Sequence, residues 1–410
     1  MREVVFTGYG IVAPIGIGVP EFCQRMFTGD SGISEIRGTM APPDFPISVA
    51  GVVPRSRLRH PSVLEHLEPS NTPNSWRFAA VATEEALLSL PEGLLVDAII
   101  YANADGVSFE LLRKSFRAFD KEDFDWDSAR SETCLEIVRR MVMEHGNGYV
   151  PDEALISFNN ACVSSNQALG IALHRIRAGQ WTRVIVGGVD ARCTPDNLMN
   201  FHLLGALTTA EGKDASRPFS MDRSGFVRGE GAATLILEAR KEAETRGATI
   251  LGSVCGYAAT SDAYRLTDGL PDGKGAIRAM EGALRDAGCS KEQVDAISAH
   301  GTSTRMNDLL ETSAIKKVFG ARAYKIPVTS LKSQIGHSTV ATGALEAVAS
   351  LLMLQEQRLA PTINYREPDP ECDLDYVPNI SRPAQLNVIL SNNFGFGGQN
   401  ACVVFKRAAA

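Results

Sequence analysis

No stretch of the 410-residue chain approaches the roughly 18 consecutive apolar residues that a membrane-spanning helix requires, so no membrane span is expected. There is no CxxC pair either. The eight cysteines (23, 134, 162, 193, 255, 289, 372 and 402) lie scattered, which in a chain this long argues for reduced thiols over a disulfide frame or a zinc cluster, and no metal site is expected. Positive charge is not in excess: the formal net charge of −7 excludes the dominant basic face that a nucleic-acid binder needs. Local basic runs, RSRLRH at 55–60 and Arg139-Arg140, read as solvated faces that could dock an acidic partner. The opening MREVVFTGYG passes directly into a β-branched run carrying Glu3, without the pattern of a leader, so a cytoplasmic location is expected. What is present, 44% hydrophobic and 22% charged residues, is the composition of a globular protein with one large core or two joined ones.

Short β-branched runs alternate with alanine- and leucine-rich segments: VVFTG, a helix near 75–90, AIIYA, another helix, LISFN, a helix, then RVIVGG. The alternation predicts α/β layers with largely parallel strands, and the continuously apolar strands fit burial on both faces. The second half then repeats the first. DAIIYANADG (97–106) parallels DAISAHGTST (295–304), LISFNNACVSSNQALGIAL (155–173) parallels KIPVTSLKSQIGHSTVATGALEAVASLL (325–352), and RVIVGGVDA (183–191) parallels NVILSNNFG (387–395). Offsets of about 200, 170 and 200 residues indicate a duplicated domain with insertions, not a short-period solenoid. The halves are expected to span 1–245 and 246–410 and to bring equivalent loops to a common seam.

One motif misleads. Gly8-Tyr9-Gly10-Ile11-Val12-Ala13 matches the GxGxxA dinucleotide pattern, which raises a nicotinamide-dependent enzyme as an alternative. Pro14, Gly16 and Gly18 follow at once and leave no helix N-terminus for a pyrophosphate, so a turn after the first strand explains these glycines better. The GFGG at 395–398 is likewise a tight loop with no phosphate-binding lysine.

Four polar clusters stand at predicted strand ends: NNACVSS, AHGTST (299–304), SLKSQIGHS (330–338) and SNNFGFGGQN (391–400). Only seven histidines exist, and His300 and His337 lie in two of these clusters beside glycine, which permits the close backbone approach a substrate needs. A free cysteine is by default a small core hydrophobe. Cys162, however, directly precedes a predicted helix over 163–178, whose amides and dipole are expected to stabilise a thiolate. Its own NH and one from the 395–398 loop could hold an oxyanion, and the two histidines could donate to an enolate or move a proton, with Lys332 adding positive charge.

In the same order, ACVSS, SRPFSMDRSGFVRGEGAATLILE (216–238), GYAATSDAYRLTDGLPDG (256–273), HGTSTRMND, LKSQIGHS and NNFGFGGQNA resemble the β-ketoacyl synthase family of condensing enzymes, well over 1–35 and 155–405 and poorly over 36–150. The resemblance implies a thiolase-type fold, five layers αβαβα with two duplicated halves. It implies that Cys162 takes the acyl chain as a thioester and that His300 and His337 stabilise the enolate formed when malonyl carrier protein loses carbon dioxide. Lys332 matches the lysine that orders the site, Glu346 the carboxylate paired with it, and Phe396 the residue whose NH completes the oxyanion hole and whose ring gates the second substrate. Thr302 and Thr304 match hydroxyls that bind the phosphopantetheine arm, and Phe394 is placed with the substrate-binding residues. No bound cofactor is implied, since substrates ride on the phosphopantetheine of acyl carrier protein, and the partners implied are that carrier and a second copy or a related ketosynthase-like subunit. Two histidines point to the elongating branch. Thiolases are more distant, because FGFGGQN has no second catalytic cysteine, and a non-catalytic chain-length-factor subunit would normally lack Cys162.

Three departures bear on the substrate. Asn160-Ala161-Cys162 replaces the usual Thr-Ala-Cys, Asn103-Ala104-Asp105-Gly106 puts an acid where the family has apolar tunnel residues, and Gly205 stands where an arginine often meets the carrier protein. An acid beside a long alkyl chain costs roughly 2 kcal/mol or more unless hydrogen-bonded. Asp105 therefore points to a shorter, unsaturated, aromatic or polyketide-like acyl group, and Gly205 to a relocated docking patch.

Overall fold

Runs rich in valine, isoleucine and alanine become ten principal strands: β1 Val4–Ala13, β2 Ala98–Asn103, β3 Leu155–Phe158, β4 Arg183–Asp190, β5 Gly231–Ala239, β6 Gly252–Ser261, β7 Ala296–Ser298, β8 Val328–Thr329, β9 Val388–Gly395 and β10 Gln399–Lys406. The structure is a computed structural model, and it describes residues 2–65, 72–104, 133–267 and 269–408. Hydrogen bonding orders the strands β8-β7-β9-β10-β6-β1-β5-β4-β2-β3, with the short Gly16–Ile17 beside β1. Read outward from the centre, β1-β5-β4-β2-β3 and β6-β10-β9-β7-β8 are the same sheet twice, joined where Val4–Phe6 pairs with Gly252–Val254. The three sequence parallels fall on equivalent strands: β2 with β7, β3 with β8, β4 with β9.

Among the described strands of this sheet, parallel pairing is confined to the outer three of each half. The inner pairs run antiparallel, contrary to the largely parallel sheet expected. The reason is visible at Phe396-Gly397-Gly398, three residues that can close a hairpin between β9 and β10 but cannot carry a crossover.

Helices Ser164–Arg177 and Thr342–Glu356 touch strands of both halves and each other, and so form the middle of five layers. Thr342–Leu354 are all buried, as an apolar helix between two sheets must be. Asn74–Leu87 with Cys134–Glu144 covers one outer face, and Lys274–Asp286 with Arg305–Phe319 the other. Gly8 and Gly10 are strand residues, not the expected turn. A Cβ on Gly10 would lie 2.1 Å from the Ala82 carbonyl oxygen, so these glycines let helix Asn74–Leu87 press onto β1.

Candidate active site

The chain leaves β3 through a turn that Asn159 closes by accepting a hydrogen bond from the Ala161 NH at 3.1 Å. Asn160 Nδ2 reaches Gln167 Oε1 at 3.0 Å, and Ala161 adopts φ 49, a left-handed conformation that costs an alanine of order 1 kcal/mol. The turn sets Cys162 just ahead of helix Ser164–Arg177, buried but open to a cavity. His337, in the loop after β8, brings Nε2 to 3.1 Å from Cys162 Sγ while its Nδ1 meets Thr342 Oγ1 at 3.1 Å. His300 follows β7, and its ring stands edge-on to that of His337 with centroids 5.2 Å apart. Each of the three residues offers one ligating atom, all within 4.8 Å of one another, a spacing that a soft cation could also bridge. Around them, Phe394 lies 5.8 Å from His300 and Phe226 5.3 Å from His337, centroid to centroid, and the Phe396 NH donates to Cys162.

Burial pushes the Cys162 thiol up to about 11, against the pull of Lys332, Arg228 and the Phe396 NH. The thiolate expected from the helix N-terminus is therefore overruled by dehydration of the sulfur, and ionisation at neutral pH falls to a base within reach, His337. Both imidazoles are held well below the usual histidine range, by burial first and then by Lys332, so both are neutral near pH 7. A neutral imidazole can take the thiol proton on one nitrogen or donate from it. His300 Nδ1 is buried without a protein partner, which leaves the proton best placed on Nε2, free to donate.

Lys332 and Glu346 pair at 2.5 Å in full burial, and Asn393 Nδ2 donates to the other Glu346 oxygen at 2.7 Å. Sequence reading missed Asn393 and Glu311. Glu311 accepts from the NH groups of His300 and Gly301 at 2.9 and 2.8 Å and from Asn392 Nδ2 at 3.1 Å, so it fixes the loop that carries His300. Burial lifts its carboxyl to about 7. Asn393 lay in plain sight within SNNFGFGGQN, whereas Glu311 belongs to a helix whose polar face gives no sequence signal.

The cavity above Cys162 holds about 490 Å³. Thr302 and Thr304 line its wall with hydroxyls 2.9 Å apart, and Phe394 and Phe396 also line it. Leu204, Gly205 and Met306 line it as well, and with Leu203 beside them three exposed apolar side chains stand at its mouth in place of the absent arginine. Asp105 lies outside the described residues.

Residues 155–243 match the family model of the β-ketoacyl synthase N-terminal domain, and 251–366 that of its C-terminal domain. A curated relative from Synechocystis sp., 3-oxoacyl-(acyl-carrier-protein) synthase 2, is 36% identical over 99% of this chain and 98% of its own. The protein of that name from Staphylococcus aureus is 34% identical over 100% of this chain and 99% of its own. Among solved structures, a chain of a type II polyketide synthase acyl-carrier protein complexed with its ketosynthase bound to the hexaketide superposes with a TM-score of 0.84 at 33% identity, covering 99% of this chain and all of that one. The ishigamide ketosynthase/chain length factor superposes with a TM-score of 0.85 at 33% identity, each chain fully covered. The two-sheet, five-layer architecture is thus the thiolase-type fold of ketosynthases. Within it, the chain belongs to the β-ketoacyl synthase family.

Proposed function

We propose that the protein is a β-ketoacyl-acyl-carrier-protein synthase, an acyltransferase that condenses an acyl group held on Cys162 with malonyl carrier protein in fatty-acid, aryl-polyene or polyketide chain elongation. The observation that carries this reading is Cys162 Sγ 3.1 Å from His337 Nε2, with His300 beside it, in a cavity entered past two threonine hydroxyls.

In the first step the sulfur attacks the acyl thioester carbonyl as His337 Nε2 takes its proton. The oxyanion rests on the NH groups of Cys162 and Phe396, and collapse expels the pantetheine thiolate, which recovers the proton. Malonyl thioester then enters. Its carboxylate leaves as carbon dioxide, and the electron pair of the broken C–C bond becomes an enolate whose oxygen accepts from Nε2–H of His300 and from His337 in the tautomer that carries its proton on Nε2 while Nδ1 accepts from the Thr342 hydroxyl. The enolate carbon attacks the Cys162 thioester, and Cys162 leaves as thiolate and takes from solvent the one proton that the overall condensation consumes, which restores the resting thiol. Lys332, locked by Glu346 and Asn393, supplies fixed positive charge; Thr302 and Thr304 hold the pantetheine arm, Phe394 shapes the pocket, and Phe396 gates the second substrate. No resident cofactor enters the scheme.

The reading includes a cytoplasmic location, acyl carrier protein as partner, and pairing with a second copy or a related ketosynthase-like subunit. That this chain is the partly structural member of such a heterodimer is less well supported, because the nucleophile and both histidines are in place. Incubation with acyl-carrier-protein thioester followed by intact-mass measurement should show one added acyl group, absent in Cys162→Ala. Unchanged labelling of that variant would reject Cys162 as the acyl acceptor, and nicotinamide-dependent absorbance would favour the dehydrogenase alternative.

A further inference from the structure

Behind the nucleophile lies the largest fully buried side chain among the described residues, Arg228. Its guanidinium uses four hydrogen bonds: Nη2 to Asp190 Oδ1 at 2.6 Å, Nη1 to the carbonyls of Gly229 and His337 at 2.8 Å each, and Nε to Asn197 Oδ1 at 3.1 Å. Both members of the Arg228–Asp190 pair have wholly inaccessible side chains. Asp190 ends β4 in the first half and also accepts from the Thr339 hydroxyl in the His337 loop of the second half. The pair therefore ties the two halves together one residue layer behind the reacting groups. Arg228 also lies under the Phe201 ring, Cζ 5.7 Å from its centroid.

Stability alone does not explain such a pair. Desolvating two ions costs several kcal/mol each, and an apolar residue of similar volume generally serves a core as well or better. Its position does explain it, because a fixed cation in low dielectric favours a nearby anion.

We propose that Arg228, oriented by Asp190, is a positioning residue for the condensing site: it clamps the His337 carbonyl, so holding the imidazole against Cys162, and places a fixed positive charge behind the sulfur when it becomes anionic. The inference rests on the reading of Cys162 as nucleophile. In agreement, Arg228 is among the groups that draw the Cys162 thiol down, with a larger influence than the opposing Asp190.

The test is the pH dependence of Cys162 alkylation by iodoacetamide, located by peptide mapping, together with kcat and KM for malonyl carrier protein. Arg228→Met alone leaves buried Asp190 with only the half-exposed Arg192, 3.4 Å away, as a cationic partner, so the decisive variant is the charge-neutral Arg228→Met/Asp190→Asn, with Arg228→Lys as a second that keeps the pair. The neutral double variant is expected to show its alkylation profile shifted about one unit to higher pH, which is about a tenfold slower reaction near neutrality, with kcat reduced and KM little changed. Arg228→Lys is expected to keep the wild-type profile and lose kcat, because three donors on one nitrogen cannot serve the four acceptors that the guanidinium reaches from three separate nitrogens. Wild-type profile and turnover in either folded variant would overturn the proposal. Persistent acylation of Cys162→Ala would instead overturn the reading on which it rests.

Discussion

The three atoms that react are neutral at rest, and this divides their labour. Decarboxylation needs only N–H donors from His300 and His337, which burial and Lys332 keep uncharged, whereas condensation also needs the sulfur. Cys162→Gln is therefore expected to abolish condensation, by about a thousandfold or more as for loss of other covalent nucleophiles, while malonyl decarboxylation persists or rises. Release of carbon dioxide from malonyl carrier protein, measured beside β-ketoacyl product, checks it; loss of both in a folded variant would count against the division. Asn160, one of the departures read as bearing on the substrate, is occupied with the turn itself through Gln167, and its neighbour Asn159 accepts from the Ala161 NH. Their chemistry was legible but their direction was not, because a side-chain amide serves a backbone turn as readily as a ligand.

Strands and helices were the most legible features, since apolar runs bounded by polar clusters mark buried strands whatever their direction. Direction escaped the reading because β5 and β10 are as apolar as the parallel strands beside them, and only loop length separates the cases. Gly8 and Gly10 escaped for a different reason: their cause is the helix pressed on them, 70 residues downstream, which no local pattern encodes. Glu85 on that helix accepts from the Ile11 and Val19 NH groups at 3.0 and 2.7 Å, so the helix cannot retreat without breaking both bonds. Gly10→Ala would set a methyl 2.1 Å from the Ala82 oxygen and 2.8 Å from Glu85 Cβ. Overpacking against backbone on a tethered helix lies at the high end of its range, about 3 kcal/mol. The urea midpoint should fall accordingly with an unchanged slope, and a variant as stable as the parent would show that the helix can shift. Arg228 was hidden by the opposite rule, that charged residues belong outside, so a buried cation inside SRPFSMDRSGFVRGEG carried no mark.

The duplicated sequence suggests two units, 1–245 and 246–410, that could each fold; the packing argues otherwise. A chain of this length commonly divides into independent domains. Here helix Thr342–Glu356 of the second half rests on β1, β4 and β5 of the first, and helix Ser164–Arg177 of the first rests on β6 and β10 of the second. Removing either half would strip part of the inner cover from the other sheet and bare one face of its middle helix, exposing leucines and valines whose burial is worth about 2 kcal/mol each. The Arg228–Asp190–Thr339 link and the Cys162–His337 contact cross the same seam, so the site exists only when both halves are assembled. The full chain is accordingly expected to melt in one calorimetric transition with van't Hoff and calorimetric enthalpies in agreement, Cys162 alkylation rising along the same curve, and residues 1–245 expressed alone are expected not to fold. Two separated transitions, or a folded isolated first half, would mean that each sheet holds its own core, and that the active site is made by docking two finished domains instead of by the folding of one.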